Sequence, residues 1–170
     1  MMKKKAQLFS SDLAIAMIVF TFALALAILV WDGVTGDINS AEELRDMEAL
    51  AVGVIENLVR SPGVPADWNP YDVMTPGLAV SDRVLDEEKI SDFTDLMSGD
   101  RYGENKYKLG IGHRDFYLRI TDINGTAVMV DGQQARAGLA MDPEAAASLT
   151  TARTATLGGE TVVLTFTIWT

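Results

Sequence analysis

Nineteen residues from Leu13 to Trp31 restrict this chain more than any other feature. They are leucine, isoleucine, valine, alanine, methionine, phenylalanine and a closing tryptophan, and Thr21 alone is not apolar. As a helix, ~19 residues rising ~1.5 Å each come close to the ~30 Å hydrocarbon core of a bilayer. Lys3, Lys4 and Lys5 precede the run, and Asp32 and Asp37 follow it. That charge step predicts a single-pass protein of the cell membrane, with a cytoplasmic N-terminus and the remaining chain outside. Leu13, Ile15, Ile18, Phe20, Phe22, Leu26 and Leu29 are the expected membrane-helix residues, with the lipid bilayer as their partner. Trp31 stands where an interfacial aromatic belongs.

The other residues of this 170-residue chain suffice for one small domain. From Asp32 onward, eleven Lys and Arg face twenty-three Asp and Glu, so the exported part is more acidic than the whole chain with its net charge of −10. A field of that sign argues against nucleic acid as a partner. Cysteine is absent and His113 is the single histidine, which removes thiol chemistry, disulfides and multi-histidine metal sites. No cofactor is expected.

Three readings fit the first thirty-one residues. One is a cleaved secretory signal, with Ala25-Leu26-Ala27 as the small-x-small site, although a cut there leaves four more apolar residues behind it. Another is a plain membrane anchor. The third is a leader cut on the cytoplasmic side, ahead of the apolar run. The segment Lys4-Lys5-Ala6-Gln7-Leu8-Phe9-Ser10-Ser11-Asp12-Leu13 resembles the processing region of archaeal class III signal peptides, which belong to type IV pilin-like proteins. The resemblance implies cleavage by a prepilin-type peptidase beside Gln7, with Lys5, Ala6, Gln7 and Leu8 as the processing residues. Cutting before Gln7 makes Asp12 the sixth residue of the product, and cutting after it makes Asp12 the fifth, the family's usual place for an acid that is more often Glu. A carboxylate at the edge of hydrocarbon is costly without a positive partner. In pilin-like assemblies that partner is the freed amino terminus of a neighbouring subunit. The alternative is an ordinary aspartate at a helix start, held by the macrodipole.

Glycines at 33 and 36 each cost a helix ~1 kcal/mol, which predicts a kink or short break there. Ser40-Ala-Glu-Glu43 reads as a capping box. Beyond it, Leu44, Met47, Ala51, Val54, Ile55 and Leu58 form a helical stripe. Pro62, Gly63 and Pro65 end the helix, and a long loop to Leu78 is expected to be held by Trp68 and Tyr71. Asp86 caps a second helix with Ile90, Phe93, Leu96 and Met97 inward. A short helical turn follows within Tyr102–Gly110, with Tyr107 and Leu109 inward. Asp115–Asp122 alternates as a strand, Asn124-Gly125 signals a hairpin, and Thr126–Asp131 is its expected return. Residues 133–149 read mostly as loop. A second hairpin turns at Gly158-Gly159, with Val162, Leu164, Phe166 and Ile168 on its core face. The order of these structural residues, from Ser61-Pro62-Gly63 to Ile168-Trp169, is also similar to the ectodomains of archaeal pilin-like proteins.

The fold class is therefore α+β: a basic leader (1–7), a long N-terminal helix (8–60) spanning the membrane over 13–31, and an exported head (61–170) with an antiparallel sheet of about four strands. Asn124-Gly-Thr126 is an N-glycosylation triplet, and Asn124 is the candidate acceptor. The acidic residues from Asp82 to Glu104 lack calcium-loop spacing, and no nucleophile elbow accompanies His113. The expected function is a non-enzymatic pilin-like subunit that meets like subunits through its N-terminal helix. The alternative is a single-pass anchored binding or sensor module that does not polymerise.

Overall fold

The computed structural model describes residues 3–170, without the side chains of residues 3–11 and 34–41. The chain divides into two units, Met1–Glu43 and Leu44–Thr170. Helix α1 is assigned from Lys3 to Arg60. The expected break does not occur: the backbone is helical through Gly33, Gly36 and the Ser40–Glu43 segment, so that segment starts no new helix. The glycine penalty is ~1 kcal/mol per residue, and the run holds no proline to remove a hydrogen bond outright.

Within Leu44–Thr170, the α1 stripe is buried as its spacing predicts: Met47, Ala51, Val54, Ile55, Leu58 and also Val59. Leu44 is an exception and stands half exposed, one turn ahead of the first covered residue. The loop after α1 carries a two-residue ladder, β1 (Gly63–Val64) against β2 (Thr75–Pro76). Trp68 anchors it. Its ring is buried, and its Nε1–H donates to the Gly77 carbonyl at 3.0 Å. The ring lies so close to Gly63, at φ +91°, that a Cβ there would come within 2.5 Å of it. Tyr71 does not share that role. It is 85% exposed, with the Arg101 guanidinium 5.9 Å above its ring. The Lys89 ammonium ties the loop to the next helix by donating to the Pro62 and Ala66 carbonyls. Burial lowers the Lys89 pKa, because desolvation disfavours the ammonium.

Strands β3 (Ala79–Ser81) and β4 (Val84–Leu85) lead into α2 (Glu87–Leu96), where the Asp86 carboxylate accepts from the Glu88 and Lys89 amides. Ile90, Phe93, Leu96 and Met97 are buried as expected. A 3-10 turn (Gly99–Arg101), the short α3 (Tyr102–Asn105) and another 3-10 turn (Lys106–Leu109) follow. Here the inward residue is Tyr102, while Tyr107 is exposed. The remaining strands are β5 (Asp115–Asp122), β6 (Met129–Val130), β7 (Gln133–Gln134), β8 (Arg136–Gly138), β9 (Ser148–Leu157) and β10 (Glu160–Trp169).

The main sheet has six strands in the order β3-β4-β9-β10-β5-β8, antiparallel except where β4 meets β9. This corrects the count of about four all-antiparallel strands. β3, β4 and β8 are two or three residues long, too short to show a period of two. The return of the Asn124-Gly125 hairpin is also shorter than expected. Ala127 bridges Thr121, but β6 then leaves to pair with β7 through a turn at Asp131 (φ +49°) and Gly132 (φ +77°). Part of the 133–149 stretch, read as loop, supplies β8 at the sheet edge. The Gly158-Gly159 hairpin matches its expectation, with β9 and β10 paired along their whole lengths. Phe116, Leu118 and Ile120 of β5, with Val162, Leu164, Phe166 and Ile168 of β10, face a core shared with α1 and α2. Phe116 lies 5.4 Å from Phe166, rings stacked. The opposite face, with Tyr117, Arg119, Thr165 and Thr167, stays partly or wholly open to solvent.

Candidate functional site

The feature that sets this chain apart from an ordinary α+β domain is the segment Asp12–Gly33 of α1. It is long and apolar enough to cross a membrane, and none of it is buried within the protein. Leu13, Ile15, Ile18, Phe20, Phe22, Leu26, Leu29 and Trp31 are all exposed. A helix this apolar on every side has no polar face to offer water, and an uncovered apolar surface of this kind marks a membrane or partner contact.

Its one hydroxyl is already satisfied. Thr21 Oγ1 donates to the Met17 carbonyl at 2.8 Å, one turn back on the same helix. Every backbone donor and acceptor in the middle of a helix is likewise paired internally, which hydrocarbon demands. Ala16, Ala23 and Ala27 fall on one side of the helix, Ala14 and Ala25 on the other. Ala23 and Ala27, with Leu26, Val30 and Trp31, line an apolar groove of ≈ 500 Å³. Four-residue spacing of small side chains lowers the helix surface enough for another backbone to come close.

Asp12 is exposed at the start of this segment. Helix α1 begins at Lys3, so Asp12 lies beyond the first turn, which holds no acid. Lys5, Ala6, Gln7 and Leu8, the residues expected at a processing site, lie outside the residues whose side chains are described.

No family model, curated protein or solved structure matches the chain. The functional reading therefore rests on the residues themselves.

In the unit Leu44–Thr170, Asn124 stands exposed at the β5 hairpin tip. Its amide, like that of Thr126, donates to Asp122 Oδ1 at 2.8 Å. These donors, Thr126 first, hold the Asp122 carboxyl below its ordinary pKa by favouring its charged form. The turn is thus locked, and the exposed Asn124 side chain joins it, its Nδ2–H donating to Asp122 Oδ2 at 3.5 Å.

A polar cluster that the sequence did not announce sits where α3 meets β5. Tyr102 Oη donates to Asp115 Oδ1 at 3.1 Å and accepts the Phe116 amide, and Lys106 Nζ reaches the same carboxylate oxygen at 2.7 Å. Burial pushes the Tyr102 hydroxyl well above its ordinary pKa. The cluster ties α3 to the first residues of β5. Its members come from three elements and share no motif, so no spacing signal exists for it. Among the described residues, no three His, Cys, Asp or Glu side chains gather as a metal site. His113 is exposed, and its carbonyl accepts from Lys106.

Proposed function

We propose that this protein is an exported, non-enzymatic pilin-like subunit of a surface filament, or a minor component of its assembly. The carrying observation is the uncovered apolar helix Asp12–Gly33, preceded in sequence by a lysine-rich leader with Ala6-Gln7 and opened by an acid. In this reading a prepilin-type peptidase removes the leader at the cytoplasmic face. The helix holds the subunit in the bilayer and then packs among like helices. Helices in lipid gain little from burying apolar area against one another, so the close approach permitted by Ala23 and Ala27 matters. Asp12 supplies the charge that meets a neighbour's freed amino terminus, and the acidic domain faces the exterior.

Two measurements test it. The intact mass of membrane-purified protein should show loss of the first six or seven residues. Retained Lys3–Lys5 would instead favour an anchored module that never polymerises. Asp12→Ala should remove the protein from sheared surface filaments while leaving it in the membrane fraction. Undiminished filaments in that variant would take Asp12 out of the mechanism.

A further inference from the structure

The solvent face of the sheet carries a charge arrangement that folding does not account for. Arg119 of β5 and Arg136 of β8 are direct cross-strand partners. Both are exposed and on the same face. Directly opposed residues have Cβ atoms about 5 Å apart, and like charges so placed destabilise a sheet. The chain has acids to spare, 24 against 14 basic residues. Arg60, Lys106 and Arg153 each sit on a carboxylate. Among the described residues, Arg119 and Arg136 make no ion pair, and each is the other's direct cross-strand neighbour.

Beside this pair lies a cavity of ≈ 900 Å³ between the end of α2 and the β7–β8 edge, lined among others by Arg136, Tyr117, Gln133, Gln134 and Thr94. Its size falls in the range of small-molecule sites, well above what a bare ion needs. The side chains of Tyr117, Gln133 and Gln134 have no hydrogen-bond partner within the described protein. Each glutamine offers two donors and an acceptor in one plane, and tyrosine offers an aromatic face with a hydroxyl. Asp95 lines a small adjoining pocket with the same two glutamines.

We infer that this cavity binds a short saccharide bearing an anionic group, a carboxylate or a sulfate. The Arg136 guanidinium in the cavity wall meets the anion, since arginine's planar fork suits oxyanions in paired hydrogen bonds. Arg119 lies outside the lining as its cross-strand neighbour and adds a second positive charge beside the site, so a bound anion relieves the repulsion between the two. The glutamine amides and Tyr117 meet ring hydroxyls. Amides that both donate and accept suit a polyol. The concave shape favours a small ligand over the flat acidic face of another protein.

The test uses the full chain in a polyoxyethylene detergent, which carries no sugar of its own, and isothermal titration calorimetry. The probes are trigalacturonate for the carboxylate, a heparin-derived disaccharide for the sulfate, maltotriose as the neutral sugar and inorganic sulfate as the bare anion. Saturable binding of one charged sugar is expected, weakening as salt rises, with maltotriose and inorganic sulfate at least tenfold weaker. Arg119→Gln and Arg136→Gln should each weaken that sugar about tenfold. Gln133→Ala should weaken the sugar and leave inorganic sulfate unchanged. Near-UV circular dichroism confirms that each variant is folded. The inference is overturned if neither charged sugar saturates below ~10 mM, if inorganic sulfate competes equally, or if the arginine variants bind as the parent does. It is equally overturned if those variants change only self-association in sedimentation, which would assign the arginines to a second copy of the chain.

Discussion

Helix α1 supplies leucines to two different environments, and truncating one in each should separate them. Leu58 is fully buried against the core. Its carbonyl also accepts from the Leu78 amide at 2.9 Å, so the side chain lies where the loop returns to the helix. Leu24 is 49% exposed and lies in the apolar segment, outside the core cluster. Leucine-to-alanine changes in a packed core cost about 3–5 kcal/mol, from lost transfer energy and an unfilled cavity. The backbone stays helical at residue 58 with alanine, so propensity returns little of that loss. For a unit the size of Leu44–Thr170, the unfolding entropy is roughly 0.27 kcal/mol per kelvin at the midpoint. Leu58→Ala should therefore lower the Tm by roughly 11–19 °C. Leu24→Ala removes no core contact and should leave the Tm within about 1 °C. The assay is thermal unfolding in nonionic detergent, followed in the near ultraviolet, where the buried Trp68 and Trp169 report packing. Equal shifts for the two variants would refute the assignment of α1 to two separate environments. So would a fall of less than ~4 °C for Leu58→Ala.

Three further outcomes are expected. Trp68→Phe keeps most of the ring but leaves the buried Gly77 carbonyl without its donor. A loss of about 1–3 kcal/mol is expected, together with faster exchange of the Met74 amide, which bonds across the same loop to Val64. Acid should destabilise the protein through Glu56 and Asp122. Arg153 lowers the Glu56 pKa by hydrogen bonding, and the Thr126 and Asn124 amides lower that of Asp122. A carboxylate with a depressed folded pKa stabilises above its unfolded value, and that stabilisation is lost as pH falls through the folded one. Denaturant midpoints should therefore begin to fall below about pH 4.5 for Glu56 and below about pH 3.8 for Asp122. Glu56→Gln should flatten the upper part of that decline. Asp92 acts in the opposite sense, because burial and neighbouring acids raise its pKa. Asp92→Asn should thus stabilise the protein at neutral pH.

Local patterns were readable wherever a residue's neighbours in sequence are also its neighbours in space. The nineteen apolar residues need only length and composition to be identified as a potential membrane span. The stripe from Met47 to Leu58, the Asp86 cap and the Gly158-Gly159 hairpin follow from helix period, a capping side chain and turn glycines. Asp131-Gly132 was available in the same way, since Asp-Gly is a strong two-residue turn signal. That turn ends β6 and starts β7, which is why the strand returning from β5 is shorter than its apolar pattern implies.

Other features arise only when distant segments meet. Tyr71 and Trp68 look alike as loop aromatics, but only Trp68 has Gly63 to lie against and the Gly77 carbonyl within reach. Glu56 reads as an exposed residue beside the helical stripe until β9 brings Arg153 to it. Arg119 and Arg136 are seventeen positions apart and become partners through strand register alone. Sequence by itself thus determined the two main helices, the long strands and a run apolar enough to cross a membrane, because those depend on period and local chemistry. Tertiary structure decided which polar groups find partners and which are left facing one another, because pairing depends on a register that no local pattern encodes.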